Sequence, residues 1–384
     1  FEGGVFMNRR YYIATLLSDV MFKKSRATEG TQDTLDHLPG SALLGYCAGQ
    51  LYSAAGARAW DLFHSGTVRF GNGYPLGIDG KPSVPTPLAW HSDKSKDATD
   101  HSDYLIAGHI WNLSRIGEGT SRSLRDEEVK LEQMRGGFVS VSYPRAVRTK
   151  TRFTLKTAVD RTKRGRAKES QLFGYERLEA GQEFLLHIDS DDAALLSALD
   201  DVLDNQTVRL GRSHLTELGE VRMSRAKVEI DFPSEGTNDG ILLAYCLSDM
   251  ALRDERGTPS VQPDADTMGL IGFKWLPDRS FLRTRRYSPF NAKRWRNGLE
   301  RQVIEKGSVL AFERLDSTRP VPTGVGLVGE HRQDGLGEVW FNPPFPATEQ
   351  PNDEKPILAG LSVSASAHAH DAAAAAIDAD PWLK

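Results

Sequence analysis

The chain has 384 residues, 39% of them hydrophobic, and a formal net charge of −4. That length suits one large domain or two smaller ones, with enough apolar material for ordinary cores. No apolar run approaches the roughly eighteen residues needed to span a bilayer, no signal peptide is read near the start, and two cysteines, Cys47 and Cys246, cannot build a four-thiolate metal site.

Met7 reads as the natural start, with residues 1–6 as an added leader. Residues 10–22 read as a strand of mixed burial and 23–36 as a polar loop. At Pro39-Gly40 the chain turns. Ser41 is the expected helix N-cap, and 42–60 is helix-friendly. A short strand is expected at 67–70, then a Gly/Pro-rich loop over 71–87. Residues 138–141 and 147–155 read as strands, the second with one wet face. Residues 161–168 read as a turn or mobile loop. Strands follow at 172–175 and 183–188, an amphipathic helix at 193–203, and strands at 207–210 and 226–232. The pattern then restarts, with strands at 241–247, 268–275, 281–287, 309–313 and 338–342 and a glycine cluster at 324–337. Each half is expected to mix short strands with one or two helices. This implies an α+β protein rather than a doubly wound parallel sheet. Boundaries fall at 7–232, 233–346 and 347–384, the last a flexible tail with a low-complexity end.

Charge is unevenly distributed. Between 145 and 168 there are ten Lys and Arg against Asp160 alone. Between 274 and 301 there are nine against Asp278 and Glu300. A charge run is usually a solvated face. Here aromatics are interleaved, Phe153, Phe173 and Tyr175 in one and Tyr287, Phe290 and Trp295 in the other. Single-stranded RNA is held by such rings, with Lys and Arg tracking its backbone. A near-neutral chain can therefore still present a basic groove.

Motifs for chemistry are sparse. Gly324, Gly326 and Gly329 match the G-x-G-x-x-G spacing of dinucleotide folds, but they lie near the chain's end, after Pro320 and Pro322, and precede a polar stretch unsuited to a cofactor helix. They read instead as a loop whose backbone amides approach phosphate or sugar, against the alternative of a tight hairpin with no ligand. The histidines show no metal spacing. His37, His214 or His331 could serve a metal-free ribonuclease. No metal and no cofactor is expected. Two buried thiols suit a reducing cytoplasm.

Several segments resemble a known family in order. His37-Leu-Pro-Gly-Ser-Ala-Leu-Leu-Gly45 resembles the IPGSSLRG signature of RAMP (repeat-associated mysterious protein) subunits of CRISPR effectors. Residues 157–176 resemble the family's middle segment, and Gly181 with Phe184 its G-x-x-F strand. Residues 208–221 resemble a RAMP glycine loop, and residues 307–312 and 329–343 repeat that ending. Residues 63–75 and 85–88 are similar to the capping subunit of type III-D or type VII systems. Leu44 departs from the pattern, since family helices often carry arginine there. The resemblance implies tandem RRM-like (ferredoxin-like) RAMP domains with glycine-rich loops. It also implies a non-catalytic subunit that binds the repeat-derived five-prime tag of the crRNA, docks on a backbone RAMP subunit, and meets target RNA only indirectly, with no membrane partner. The expected RNA contacts are Gly40 and Ser41 at the helix start, Arg148, Lys150 and Arg152, Arg161, Lys163, Arg164, Arg166 and Lys168, Arg212 and His214, Arg283, Arg285 and Arg286, Arg294 and Trp295, and Arg332. The competing expectations are a RAMP endoribonuclease and an assembly subunit with mainly protein contacts.

Overall fold

Residues 8–16 alternate. Tyr12, Ala14 and Leu16 are buried on one side, and Arg9, Tyr11 and Ile13 point to the other, which is the period of a strand. The computed structural model describes residues 8–24, 31–78, 80–93, 99–100, 105–106, 110–115, 130–141, 146–160, 166–212, 218–235, 240–291, 293–345, 348–349 and 362–365, with backbone alone at 31, 93, 99–100, 105–106, 156–160, 166–173, 348–349 and 362–365.

In chain order the first half contains β1 (Asn8–Leu16), α1 (Gly40–Ala55), α2 (Ala59–Phe63), β2 (Val68–Phe70), β3 (Tyr74–Pro75), β4 (Thr151–Asp160), β5 (Arg166–Leu178), β6 (Glu183–Ser190), α3 (Ala193–Leu203), β7 (Thr207–Arg209) and β8 (Glu220–Ala226). The first sheet runs β7-β8-β1-β6-β2, with β3 also on β6. Its named pairs are antiparallel. β1 reaches β2 through α1, and β6 reaches β8 through α3. Two β-α-β units are thus interleaved, the split connection of ferredoxin-like sheets. The helices cover one face of this sheet. Leu43, Cys47, Leu62 and Phe63 meet Tyr12, Ala14, Phe70, Phe184 and Ile188 there. α3 forms where it was expected, because Asp192 accepts the Ala194 N–H at 2.8 Å as its cap and Leu195, Leu196, Leu199 and Leu203 share its buried stripe. Each such leucine contributes about 2 kcal/mol of burial.

The second half contains β9 (Ile241–Cys246), β10 (Phe273–Trp275), β11 (Thr284–Tyr287), β12 (Arg301–Ile304), β13 (Val309–Arg314), β14 (Gly324–Leu327) and β15 (Glu338–Phe341). Its main sheet runs β10-β13-β9-β15-β14. β9 is apolar throughout because both its faces are buried. Leu242, Ala244 and Cys246 pack to one side with Leu310 and Phe312. Leu243 and Tyr245 pack to the other with Val84, Trp90, Val139 and Phe345. Val84, Ala89, Trp90, Ile110, Val139 and Val141, all before the expected boundary at 232 and 233, line this second core. Among the described residues this sheet carries no α-helix, so the expectation of helices in each half holds only for the first. The molecule is α+β and mostly sheet.

Other expectations shift locally. Residues 71–87 are not all loop, since β3 and Ser83–Pro85 both pair. Residues 166–168 belong to β5 rather than to a turn, and 268–272 precede a strand that starts only at Phe273. Beyond 346, Thr348–Glu349 pairs with Ile110 and Trp111, and Ser362–Ala365 pairs with Val228–Asp231. Cys47 and Cys246 are free and buried, and burial pushes both thiols up, away from the reactive thiolate. Among the described residues no helix is long and apolar enough to cross a membrane.

Candidate nucleic-acid interface

The helix start carrying the strongest motif is built non-locally. α1 begins at Gly40, with Pro39 at the cap position, so Ser41 is not the N-cap but an exposed residue inside the first turn. The capping oxygen comes from 32 residues downstream. Gly40 donates its N–H to Asn72 Oδ1 at 2.9 Å, and Asn72 Nδ2 donates to the Gly335 carbonyl at 3.1 Å. A side chain on Gly40 would overlap the Phe70 carbonyl oxygen. Gly40 is thus buried, its donor is taken, and it serves packing.

Gly335 completes the same contact from the other half. Its φ is +87°, and a Cβ there would lie 2.6 Å from the Phe70 oxygen and 2.9 Å from Asn72 Oδ1. Only glycine tolerates both. Gly324 and Gly326 lie in β14, paired with β15. These glycines build a hairpin and its seat on the first sheet, and the expected phosphate loop shrinks to residues 328–337. That loop contains a 3₁₀ turn at Arg332–Asp334 and no cofactor helix.

Two buried charge clusters hold the halves together. In the first, Arg9 Nε and Nη2 bind Asp189 Oδ1 and Oδ2 at 2.7 and 2.8 Å, and Nη2 also reaches Glu338 at 3.0 Å. His187 Nε2 lies 3.4 Å from Glu338 and 3.7 Å from Asp189. In the second, His37 Nδ1 meets Asp36 at 2.8 Å, and Lys306 Nζ reaches Asp36 at 3.0 Å. Arg285 Nε binds Asp249 at 2.7 Å, and Asp249 Oδ1 accepts the Lys306 N–H. Burial pushes the Asp249 carboxyl up, but the Arg285 guanidinium and the Lys306 amide outweigh it and hold it below the usual range. Arg285, expected on RNA, is an internal strut. None of Arg9, Asp189, Asp249 and Glu338 was among the site residues expected from sequence. Their partners lie 36 to 329 residues away, so no local signal exists.

These clusters also close a surface. An RRM stacks bases on the open face of its sheet. Here the face of Tyr11, Leu185 and His187 is buried against Tyr74, Val84, Val141 and Phe232, around a narrow cavity of about 50 Å³. RNA has no access to it in this arrangement.

Exposed cations lie elsewhere. β4 and β5 form a long hairpin in which Arg152 opposes Arg177 and Thr154 opposes Tyr175, so the four share one face. Arg152 and Arg177 approach Asp19 at 3.8 and 4.0 Å. The Arg212 guanidinium sits 6.0 Å over the Tyr175 ring and bonds Gln32, and Lys23 is close enough that Arg212 helps push its ammonium down, after burial. Exposed Phe153 and Leu155 occupy the opposite face. Arg148 and Lys150 are exposed just before β4. Arg166 and Lys168 lie on β5, described by backbone alone, and Arg161, Lys163, Arg164 and His214 lie outside the described residues. This brings together Arg152 and Arg212 from the expected set and adds exposed Lys23 and Arg177, whose side chain is only 11% exposed.

The second basic segment projects as a hairpin from β11 and β12. Arg283 is half-buried, Arg286 exposed, and Arg294 and Trp295 sit at the tip. Nearby is an open, mainly polar groove of about 550 Å³ lined by Arg69, Arg253, Glu330, His331 and Arg332. Arg69 also binds Asp191 at 2.7 Å, and Arg253 binds Glu330 at 2.7 Å. Arg332 donates to the Gly329 carbonyl at 2.9 Å. Among the described residues no group of three or more His, Cys, Asp and Glu is arranged to hold a metal.

No family model matches this chain, and no curated protein matches it. Solved structures do resemble it, and those compared belong to CRISPR proteins. One chain of a type III-B Cmr-beta complex bound to cognate target RNA and AMPPnP is similar at 13% identity and TM-score 0.46, covering 78% of this chain and 86% of that one. A CRISPR-associated protein Cas6 is similar at 8% identity and TM-score 0.32, over 86% and 98%. Cmr4 (Cas7) of Pyrococcus furiosus is similar at 10% identity and TM-score 0.25, over 57% and 99%. The likeness is loose in every case.

Proposed function

We propose that the chain is a non-catalytic RNA-binding subunit of the RAMP type. It holds the repeat-derived five-prime tag of a CRISPR guide RNA and caps the backbone of an effector complex. The observation that carries this reading is the face of the β4–β5 hairpin, which Arg152, Arg177 and Tyr175 share, with Arg212 6.0 Å over the Tyr175 ring and Lys23 close to Arg212. A row of guanidinium groups beside an aromatic ring suits a single-stranded phosphate backbone with an unstacked base. The motif order from residue 37 to 343 supports the same class.

The ribonuclease reading finds less support at His37. His37 is 4% exposed and already bonded to Asp36, so a substrate hydroxyl has no path to it. The test begins with purification alongside the neighbouring genes. A discrete small RNA should co-purify, and recovery of the complex without RNA would refute the binding role. Incubation with repeat RNA in the absence of metal should leave it intact, and site-specific cleavage would refute the non-catalytic part.

A further inference from the structure

The tip of the second basic hairpin is built at odds with its own turn. Phe290 pairs with Asn297 and Asn291 with Arg296. Between them the chain turns, and Asn291 Oδ1 accepts the Arg294 N–H at 2.9 Å. The last turn residue is Trp295, with φ at +51°. That left-handed position favours glycine or asparagine, and a bulky residue there is a conformational outlier. No burial offsets the strain, because Trp295 is 78% exposed. Its only described ring contact is the edge-on Phe290 at 5.9 Å, itself exposed. The fold would be better served by glycine.

Around the tip, Lys293, Arg294 and Arg296 are exposed, and residues 290–297 hold no acid. The tip also leans on the first half, with Lys293 Nζ 5.8 Å from the centre of the Tyr52 ring. Tyr52 Oη and His64 Nε2 are 3.1 Å apart, and His64 packs 5.4 Å from Trp60, a tryptophan left 64% exposed on α2. Lys293 therefore joins the tip, with its exposed Phe290 and Trp295, to Tyr52, His64 and Trp60 on the first half.

From this we infer that the hairpin tip and the outer ends of α1 and α2 form a second RNA contact, a stacking platform for unpaired bases separate from the β4–β5 face. The inference rests on the RNA-binding reading and deepens it. Rings outside a core stack on any base, and the flanking cations meet the phosphates between them. Duplex RNA, whose bases are already stacked, has nothing to offer these rings. An acidic protein surface would answer the cations but leaves the strained, outward tryptophan unexplained.

The test compares the full chain with Trp295→Gly and Trp60→Ala, titrated with a twelve-nucleotide single-stranded RNA and with a duplex of the same length. Each variant should lose about tenfold in affinity for the single strand, in line with one stacked base. The dependence on salt should be retained, and the thermal midpoint of Trp295→Gly should be equal to or above that of the parent. Unchanged single-strand affinity in both variants, or equal competition by the duplex, overturns the platform while leaving the β4–β5 reading intact. If the parent binds no RNA at all, that reading fails as well. Loss of a protein partner with unchanged RNA affinity would instead assign the surface to assembly and overturn the inference.

Discussion

Replacing Asn72 with alanine should destabilise the whole molecule, although the residue sits in a segment that reads as loop. Its amide bridges two buried groups from different halves, the Gly40 N–H at 2.9 Å and the Gly335 carbonyl at 3.1 Å. Removing it orphans one donor and one acceptor where water has little room. Each such orphan costs about 1–3 kcal/mol, and the donor is also the first of a helix. Together the loss is about 2–6 kcal/mol. In urea, with a slope of about 3 kcal/mol/M for a chain larger than the usual small domain, the midpoint should fall by about 0.7–2 M. Asn72→Asp should do no better. It keeps an acceptor for Gly40 but sets a carboxylate against the Gly335 carbonyl. Hydrogen exchange should accelerate in the first turn of α1. A loss below about 0.5 kcal/mol with exchange unchanged would mean that water replaces both bonds, and the argument for a non-local cap would fail.

Acid should weaken the junction. Burial pushes the His37 and His187 imidazoles below the ordinary histidine range, Arg9 adds to the effect at His187, and nearby carboxylates offset it only in part. The unfolded chain then binds protons first, so stability is full above about pH 6.5 and declines as pH falls through the lower folded values. Melting curves from pH 8 to 5 should show the decline and His187→Gln should flatten it, whereas a flat parent profile would contradict it. Arg285→Ala should cost about 3–5 kcal/mol by stranding the buried Asp249 carboxylate, measured by denaturation, and should leave the salt dependence of RNA binding unaltered. The double variant Arg152→Ala/Arg212→Ala should do the reverse, lowering the log–log salt slope by about 1.4 if both side chains meet single-stranded phosphates with little change in stability. An equal slope in parent and double variant would remove the hairpin face from the binding surface.

Much of the secondary structure was legible because it is locally encoded. α3 announces itself through a capping aspartate and leucines at helical spacing, and β9 through an unbroken apolar run. The start of α1 was misread by two residues, since serine is the usual cap and the true capping oxygen belongs to a distant asparagine. Arg285 was misread for the same reason. In sequence it is one cation among nine, and only the fold brings Asp249 to it. The glycine cluster suggested a ligand loop because glycine signals backbone freedom without saying what comes close. At Gly335 it is another part of the same chain. Tyr52 and Trp60 went unnoticed because an aromatic on an amphipathic helix normally faces inward, and only the packing of α1 and α2 shows that these two do not.

The pairing of Glu338 with Arg9 and His187 has a consequence for any attempt to divide the chain. A fragment ending near residue 232 would retain β1 and β6 but lose Leu247 and Glu338 from beside them, leaving Arg9 and His187 without their Glu338 carboxylate. It would also strip Val84, Trp90 and Val139 of the sheet they pack on. Such a piece should be sticky and poorly folded even though its ferredoxin-like sheet is complete. Cooperative unfolding should therefore span both sheets at once, and genetic dissection is better done by point substitution on the outer surfaces than by truncation.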